Sequence, residues 1–326
     1  MASAPTFMAS RQGAPSGARS FAQRLRTGDA VTHAITLICA SSIFLLTVLL
    51  VIYMWGDSAL PRHKFGWSFI YTQVWDPVAG QFGALPFAFG TAVTSMMALL
   101  IAVPLGLGSA IFLAELAPRR LSNGLTFLIE LLAAVPSVIY GLLGISLVVP
   151  VLQSSVVPVL KKTLGFLPIF SGPFYGVSIF SASVVLAIMI VPFIVSVSRE
   201  VLLSVPVDQR EAALALGSTR WETTWQVVLP YARRGIYGSI FLALGRALGE
   251  TMAVTMVIGN TPKVQTSLLA PGYTIAAVIA NEFTEATGDL YLQALIELGL
   301  VLFALTMIIN AVAQLLILST GPRLEK

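Results

Sequence analysis

The chain has 326 residues, of which 56% are hydrophobic and only 10% charged, with a formal net charge of +4. Soluble domains carry about 25% charged residues, so this deficit excludes an ordinary soluble protein and points to lipid as the solvent for much of the chain. The positive balance needs no nucleic acid to explain it, because the basic residues lie in loops beside apolar runs, where membrane topology accounts for them.

Residues 1–28 are rich in Ala, Ser and Gly and carry Arg11, Arg19, Arg24 and Arg26 with no acid, which reads as a disordered basic arm. The run 30–55 is uncharged, longer than a signal-peptide core and without a small-residue cleavage pattern, so an uncleaved first transmembrane helix is expected. Five further spans are expected at 87–113, 121–149, 174–197, 235–258 and 292–318, giving an all-α bundle of six spans with a core at 86–319. Pro104, Pro136 and Pro192 fall inside spans, where neighbouring helices tolerate kinks. Cys39 is the only cysteine, so no intrachain disulfide forms. His33 and His63 lack partners at metal-ligand spacing, and no cofactor or metal is expected.

Six spans put both termini on one side. With that side cytoplasmic, the inner segments hold thirteen of the Lys and Arg residues, among them Arg119, Arg120, Arg199, Arg210, Arg220, Arg233 and Arg234. The outer ones hold five: Arg62, Lys64, Lys161, Lys162 and Lys263. The positive-inside bias therefore places both termini and the loop 198–234 in the cytoplasm. The outer segment 56–85, with Trp55, Phe65, Trp67, Phe69, Tyr71 and Trp75 at or near it, reads as an interfacial aromatic belt or as a surface for an extracytoplasmic partner. In the outer segment 259–289, the apolar stretch 273–280 is too short to span and reads as an interfacial or re-entrant helix.

The loop reads as a short helix, a glycine break and a second helix. Asp208 is a candidate N-cap with Glu211 completing a capping box, and Gly217 suits a left-handed C-terminal turn. Ala212, Ala213 and Leu216 form a small smooth face, Trp221, Trp225 and Val228 a second apolar face, and Pro230 ends the second helix. Physics alone leaves two readings: an element that docks in a groove of a partner, or an amphipathic loop on the inner leaflet. The spacing Glu211-Ala212-Ala213, three residues, Gly217, nine residues, Val227, one residue, Leu229-Pro230 resembles the coupling loop of type I ABC importer permeases. The resemblance implies that the loop docks on an ATP-binding subunit, with Glu211 at the family's salt-bridging position. The one departure is conservative, Val227 standing where Ile is frequent.

Ionisable residues within spans are functional candidates by default. Arg246 falls near the expected bilayer midplane, and Glu250, four residues on, is expected on the same helical face. Gly245 and Gly249 would permit close helix approach. The two charges read either as a structural ion pair or as an anion pathway, in which a guanidinium fork matches a tetrahedral oxyanion. An adjacent carboxylate would favour a protonated oxyanion such as phosphate over sulfate. Glu130 and Glu297 read as residues at wet helix ends rather than on a pathway.

The phrases at 133–141 (AAVPSVIYG), 245–254 (GRALGETMAV) and 267–282 (SLLAPGYTIAAVIANE) resemble the PstC family, permeases of bacterial phosphate-specific ABC importers. This likeness covers about residues 30–320. It implies an inner-membrane heterodimer with a PstA-type sister permease, a PstB-type ATPase dimer and a PstS-type phosphate-binding protein. It also implies that Arg246 and Glu250 take part in phosphate translocation. No GxxxxGK[ST] phosphate-binding loop is present, so ATP and Mg are expected on the partner and the chain is expected to be no enzyme by itself. A permease for sulfate or molybdate, a membrane-embedded enzyme and a passive anion channel are the competing readings.

Overall fold

The computed structural model describes residues 29–320; the basic arm expected over 1–28 lies outside them. Contacts divide the chain into two units, residues 1–53 and 54–326. The first holds most of α1 (Asp29–Asp57), a 29-residue helix with no charged residue between its two terminal aspartates. At 1.5 Å per residue it exceeds the roughly 30 Å hydrocarbon thickness.

The second unit is helical among its described residues, with one isolated β-bridge between Asp76 and Gln81. Its elements are α2 (Ala59–Phe65), α3 (Ser68–Tyr71), α4 (Leu85–Leu116), α5 (Arg119–Ala133), α6 (Ser137–Leu164), α7 (Ile179–Leu203), α8 (Val207–Ala215), α9 (Arg220–Leu248), α10 (Met252–Ile258), α11 (Ile275–Glu282) and α12 (Asp289–Thr320). Among the described residues five helices are long and apolar enough to cross a membrane: α1, α4, α6, α7 and α12. The sixth crossing is the pair α9 and α10, bent by 63°. Six helical crossings are therefore present among the described residues, one of them broken.

α7 is the most enclosed span. Its Val185, Leu186, Ile190 and Ile194 pack with Ala98 and Ala102 of α4, Leu244 and Leu248 of α9, and Val257 and Ile258 of α10. Small residues set the approach, as is usual where lipid supplies no hydrophobic force between helices. A Cβ added at Gly106 of α4 would lie 2.7 Å from Ile194 Cγ2. The Ser198 and Ser239 hydroxyls, 2.7 Å apart, join α7 to α9.

The third crossing is not 121–149. α5 ends at Ala133, and Pro136 separates it from α6, because proline disfavours helical geometry in the residue before it. The crossing is Ser137–Leu164 instead. Pro136 is thus a boundary, whereas Pro104 and Pro192 lie inside α4 and α7 as expected.

Four π-helical turns occur among the described residues: Phe112–Leu116, Gly144–Val148, Leu152–Val156 and Thr224–Val228. Each ends two residues before a proline: Pro118, Pro150, Pro158 and Pro230. Proline lacks an N–H and clashes with the carbonyl four residues back. A wider i to i+5 turn draws that carbonyl aside. In α6 and α9 the helix consequently continues through the proline.

The outer segment is not a simple aromatic belt. Phe69 is fully buried, and Phe65 and Trp75 pack on a cluster formed by Phe82, Phe87, Tyr273 and Leu295. Only Trp55, Trp67 and Tyr71 of the six are exposed. Glu282 on α11 accepts hydrogen bonds from Trp75 Nε1 (2.9 Å) and from the Tyr291 hydroxyl (2.7 Å). α11 falls where the short apolar stretch was expected, and it is seated in the bundle: the Ile275 N–H donates to Thr91 Oγ1 of α4 at 2.9 Å. A Cβ at Gly90 would lie 2.1 Å from the Tyr273 carbonyl oxygen, so only glycine allows this approach.

Candidate functional site: a loop joined to a broken span

α8 and the start of α9 form the helical hairpin that the loop pattern foretold, with different capping. α8 begins after Pro206 without a side-chain cap, and Asp208 lies inside its first turn, so the capping box expected at Asp208 and Glu211 is absent. Its exit is as expected. Gly217 has φ +92°, its N–H donates to Leu214 O (3.0 Å), and the Ser218 N–H donates to Ala213 O (3.2 Å). That pair of bonds is a Schellman motif.

The capping box lies at α9. Thr219 Oγ1 accepts from the Glu222 N–H, and Glu222 Oε2 accepts from the Thr219 N–H at 2.7 Å and from its hydroxyl at 2.8 Å. Those bonds from the Thr219 backbone and hydroxyl hold the Glu222 carboxyl below the usual carboxylate range. The Ser/Thr-x-x-Glu signature at 219–222 was legible in the sequence.

The loop's landmark residues divide by exposure. Glu211, Ala212, Gly217 and Pro230 are exposed, Val227 and Leu229 are half-buried, and Ala213 is buried. Ala213 therefore leaves the smooth face on which Ala212 and Leu216 remain. Trp221 and Trp225 are also exposed, with edge-to-face rings 5.7 Å apart, whereas Val228 is fully buried against Leu202, Val205 and Ile236. The π-turn at 224–228 rotates Val228 away from the tryptophans, which dissolves the shared face that regular helical spacing implies. The same turn carries the helix through Pro230, so α9 runs unbroken from Arg220 to Leu248. It joins the loop to Arg246 by a rod of roughly 40 Å.

Arg246 lies in the last turn of α9 and is exposed, with its guanidinium carbon 5.9 Å from the centroid of Phe193 on α7. Glu250 is not on the same helical face. α9 ends at Leu248, and Glu250 sits in the break, where its Oε1 accepts from the Ala253 N–H at 3.1 Å and caps α10. The carboxylate faces the positive end of that helix, which accounts for its place there. Among the described residues Arg246 is in neither of the two ion pairs. Gly245 has nothing within 4 Å of an added Cβ, so it serves no helix contact within this chain. Of the other two carboxylates, Glu130 is exposed at the end of α5, whereas Glu297 is buried in α12 rather than at a wet end.

Sequence reasoning missed Arg210 and Glu115. Arg210 of α8 donates to Glu115 through Nη2 (2.8 Å) and Nε (3.3 Å), across 95 residues of chain. No local spacing foretells that pair; the one available signal was an arginine beside the loop and an acid at the end of a span.

Such a bundle, with a helical hairpin fused to a broken span, defines a polytopic permease with the type I ABC importer fold. Two solved structures share the fold. The inward-facing MetNI methionine ABC transporter matches 76% of this chain and 100% of its own at TM-score 0.55 and 15% identity. A bacterial alginate ABC transporter, bound to its alginate-loaded periplasmic protein, matches 89% of this chain and 96% of its own at TM-score 0.55 and 16% identity. The chain belongs to the family described as binding-protein-dependent transport system inner membrane component, which it matches over residues 102–326. The phosphate transport system permease protein PstC of Mesorhizobium japonicum is 46% identical over 305 residues, covering 92% of this chain and 93% of its own. The PstC of Xylella fastidiosa is 49% identical over 269 residues (81% and 82%). A probable PstC of Methanocaldococcus jannaschii is 36% identical over 284 residues (85% and 90%). The chain is a multi-pass inner-membrane permease.

Proposed function

We propose that this chain forms one half of the translocation pathway of an ATP-driven phosphate importer. The observation that carries the reading is the place of Arg246: an arginine without an ion pair among the described residues, at the break of a span whose other end is the docking loop. A guanidinium at membrane depth binds a tetrahedral oxyanion through its planar fork. Glu250 commits Oε1 to the Ala253 N–H and leaves Oε2 for the proton of hydrogen phosphate. Sulfate, which carries no proton at neutral pH, would leave that acceptor unpaired, and this favours phosphate.

In this reading both termini and the loop 198–234 face the cytoplasm. Glu211, Ala212, Leu216 and the two exposed tryptophans meet a PstB-type ATPase dimer, while Ala213, Gly217, Val227 and Leu229 shape the hairpin and Pro230 sits where the loop enters the span. The ATPase binds ATP and Mg; this chain needs no cofactor and catalyses no reaction alone. A PstA-type permease completes the pathway, and a PstS-type binding protein delivers phosphate to the outer face. Closure of the ATPase pushes the hairpin, α9 transmits the push, and the break between α9 and α10 changes the exposure of Arg246.

The test is reconstitution of the chain with its co-purifying partners. Phosphate-stimulated ATP hydrolysis and uptake are measured with sulfate and molybdate as competitors, with and without Gly217→Pro. Uptake that prefers phosphate, consumes ATP and fails in Gly217→Pro is expected. Conduction without ATP or without an intact loop overturns the reading in favour of a channel, and preference for sulfate or molybdate reassigns the cargo.

A further inference from the structure

The hairpin has a second mechanical connection to the bundle, distinct from α9, and it converges on Arg210. Nε and Nη2 hold the Glu115 carboxylate, Nη2 also donates to Leu202 O (2.7 Å), and Nη1 donates to Val205 O (2.5 Å). One side chain of α8 thus holds the π-turn that ends α4, the Leu202 carbonyl in the last turn of α7 and the Val205 carbonyl just beyond it. Both partners are largely enclosed, at 19% and 11% side-chain exposure. The bidentate, charge-assisted geometry resists shear as well as separation.

The remaining contact of α8 with the bundle is slight. Ala213 is its one buried residue among those described, and a cavity of about 150 Å³, lined by Glu115, Arg210, Leu214, Arg220 and Thr223, lies beside the pair. α4 and α7, by contrast, are locked together through Gly106 and Ile194. Besides the covalent link 204–206 to α7, a push on α8 reaches these two helices through Arg210 or is absorbed by the cavity.

We infer that Arg210 and Glu115 are positioning residues that carry the displacement of the docking hairpin to α4 and α7, so that both halves of the bundle move with each ATP cycle. The inference rests on the ATP-driven reading above. It predicts uncoupling: without the pair, α8 yields locally, the ATPase still turns over, and less anion crosses per ATP.

The experiment measures uptake and ATP hydrolysis in the same proteoliposomes holding the full complex, using whichever anion the unaltered complex imports. Absence of ATP-driven import by that complex would sink the functional reading, whereas the ratio between variant and unaltered complex tests the pair alone. Glu115→Gln and Arg210→Gln are expected to keep their ATPase partner and lose roughly tenfold in anion moved per ATP, a typical allosteric coupling. Should these variants fail to assemble, Arg210→Lys serves. It keeps the charge and one bond at a time, and it is expected to lower the ratio by about threefold. A merely structural pair would lower uptake and hydrolysis together. An unchanged ratio in the variants that assemble overturns the inference.

Discussion

Arg246 and Glu250 are four residues apart, yet they belong to different helices: Arg246 to the last turn of α9, and Glu250 to the break where it caps α10 through the Ala253 N–H. A continuous helix would have stacked them as an ion pair. The 63° bend leaves the guanidinium unpaired among the described residues and gives the carboxylate a backbone partner.

The two residues therefore have separable phenotypes. Arg246→Ala is expected to lower phosphate uptake about ten- to a hundredfold, the value of charged hydrogen bonds to the anion, with assembly intact. Glu250→Gln keeps an acceptor for Ala253 N–H and so keeps α10, and is expected chiefly to weaken discrimination between phosphate and sulfate. Competition uptake assays on assembled complexes read both, and normal uptake and selectivity in both variants would refute the pathway.

Gly217 holds φ +92° with nothing within 4 Å of an added Cβ, so only backbone conformation opposes a side chain there. Gly217→Ala should cost about 1–2 kcal/mol in the hairpin. It should weaken co-purification of the ATPase while leaving the melting of the membrane bundle unchanged. Titrating ATPase association against detergent-solubilised permease measures this.

The cap at 219–222 carries a pH dependence. The folded-state pKa of Glu222 lies below the unfolded carboxylate value of about 4.3. Its contribution is thus present above that value and is lost as pH falls through the folded one. Amide exchange protection over 219–224 is expected to hold at neutral pH and fall in acid. In Thr219→Ala, which removes the bond the Thr219 hydroxyl donates to Glu222 Oε2 and the one it accepts from the Glu222 N–H, protection should be lower and its fall in acid smaller.

Gly90→Ala places a methyl 2.1 Å from the Tyr273 carbonyl oxygen, and neither backbone can yield freely. A loss of about 1–3 kcal/mol is expected, the usual cost of overpacking. It should appear as a lowered unfolding temperature of the purified complex. Gly108→Ala, on the same helix with open space around it, is the control and should melt like the unaltered protein.

Much of the fold was legible because lipid imposes one-dimensional rules. Long apolar runs located α1, α4, α7 and α12, and Gly217 announced its left-handed turn. Two of the errors share a cause. Pro136 was read as a kink and is a boundary, while Pro230 was read as a stop and is passed through. Proline removes one donor, and whether the chain breaks or widens into a π-turn is settled by what packs around it.

By itself the sequence determined that the chain crosses the membrane repeatedly and carries a helical hairpin with a left-handed exit at Gly217, since both follow from apolar length and local spacing. Only the tertiary structure decided that Glu250 caps α10 instead of pairing with Arg246, and that Arg210 reaches Glu115. The physical reason is that a bend of a few residues and a contact across 95 residues depend on the packing of whole helices, which no local pattern encodes.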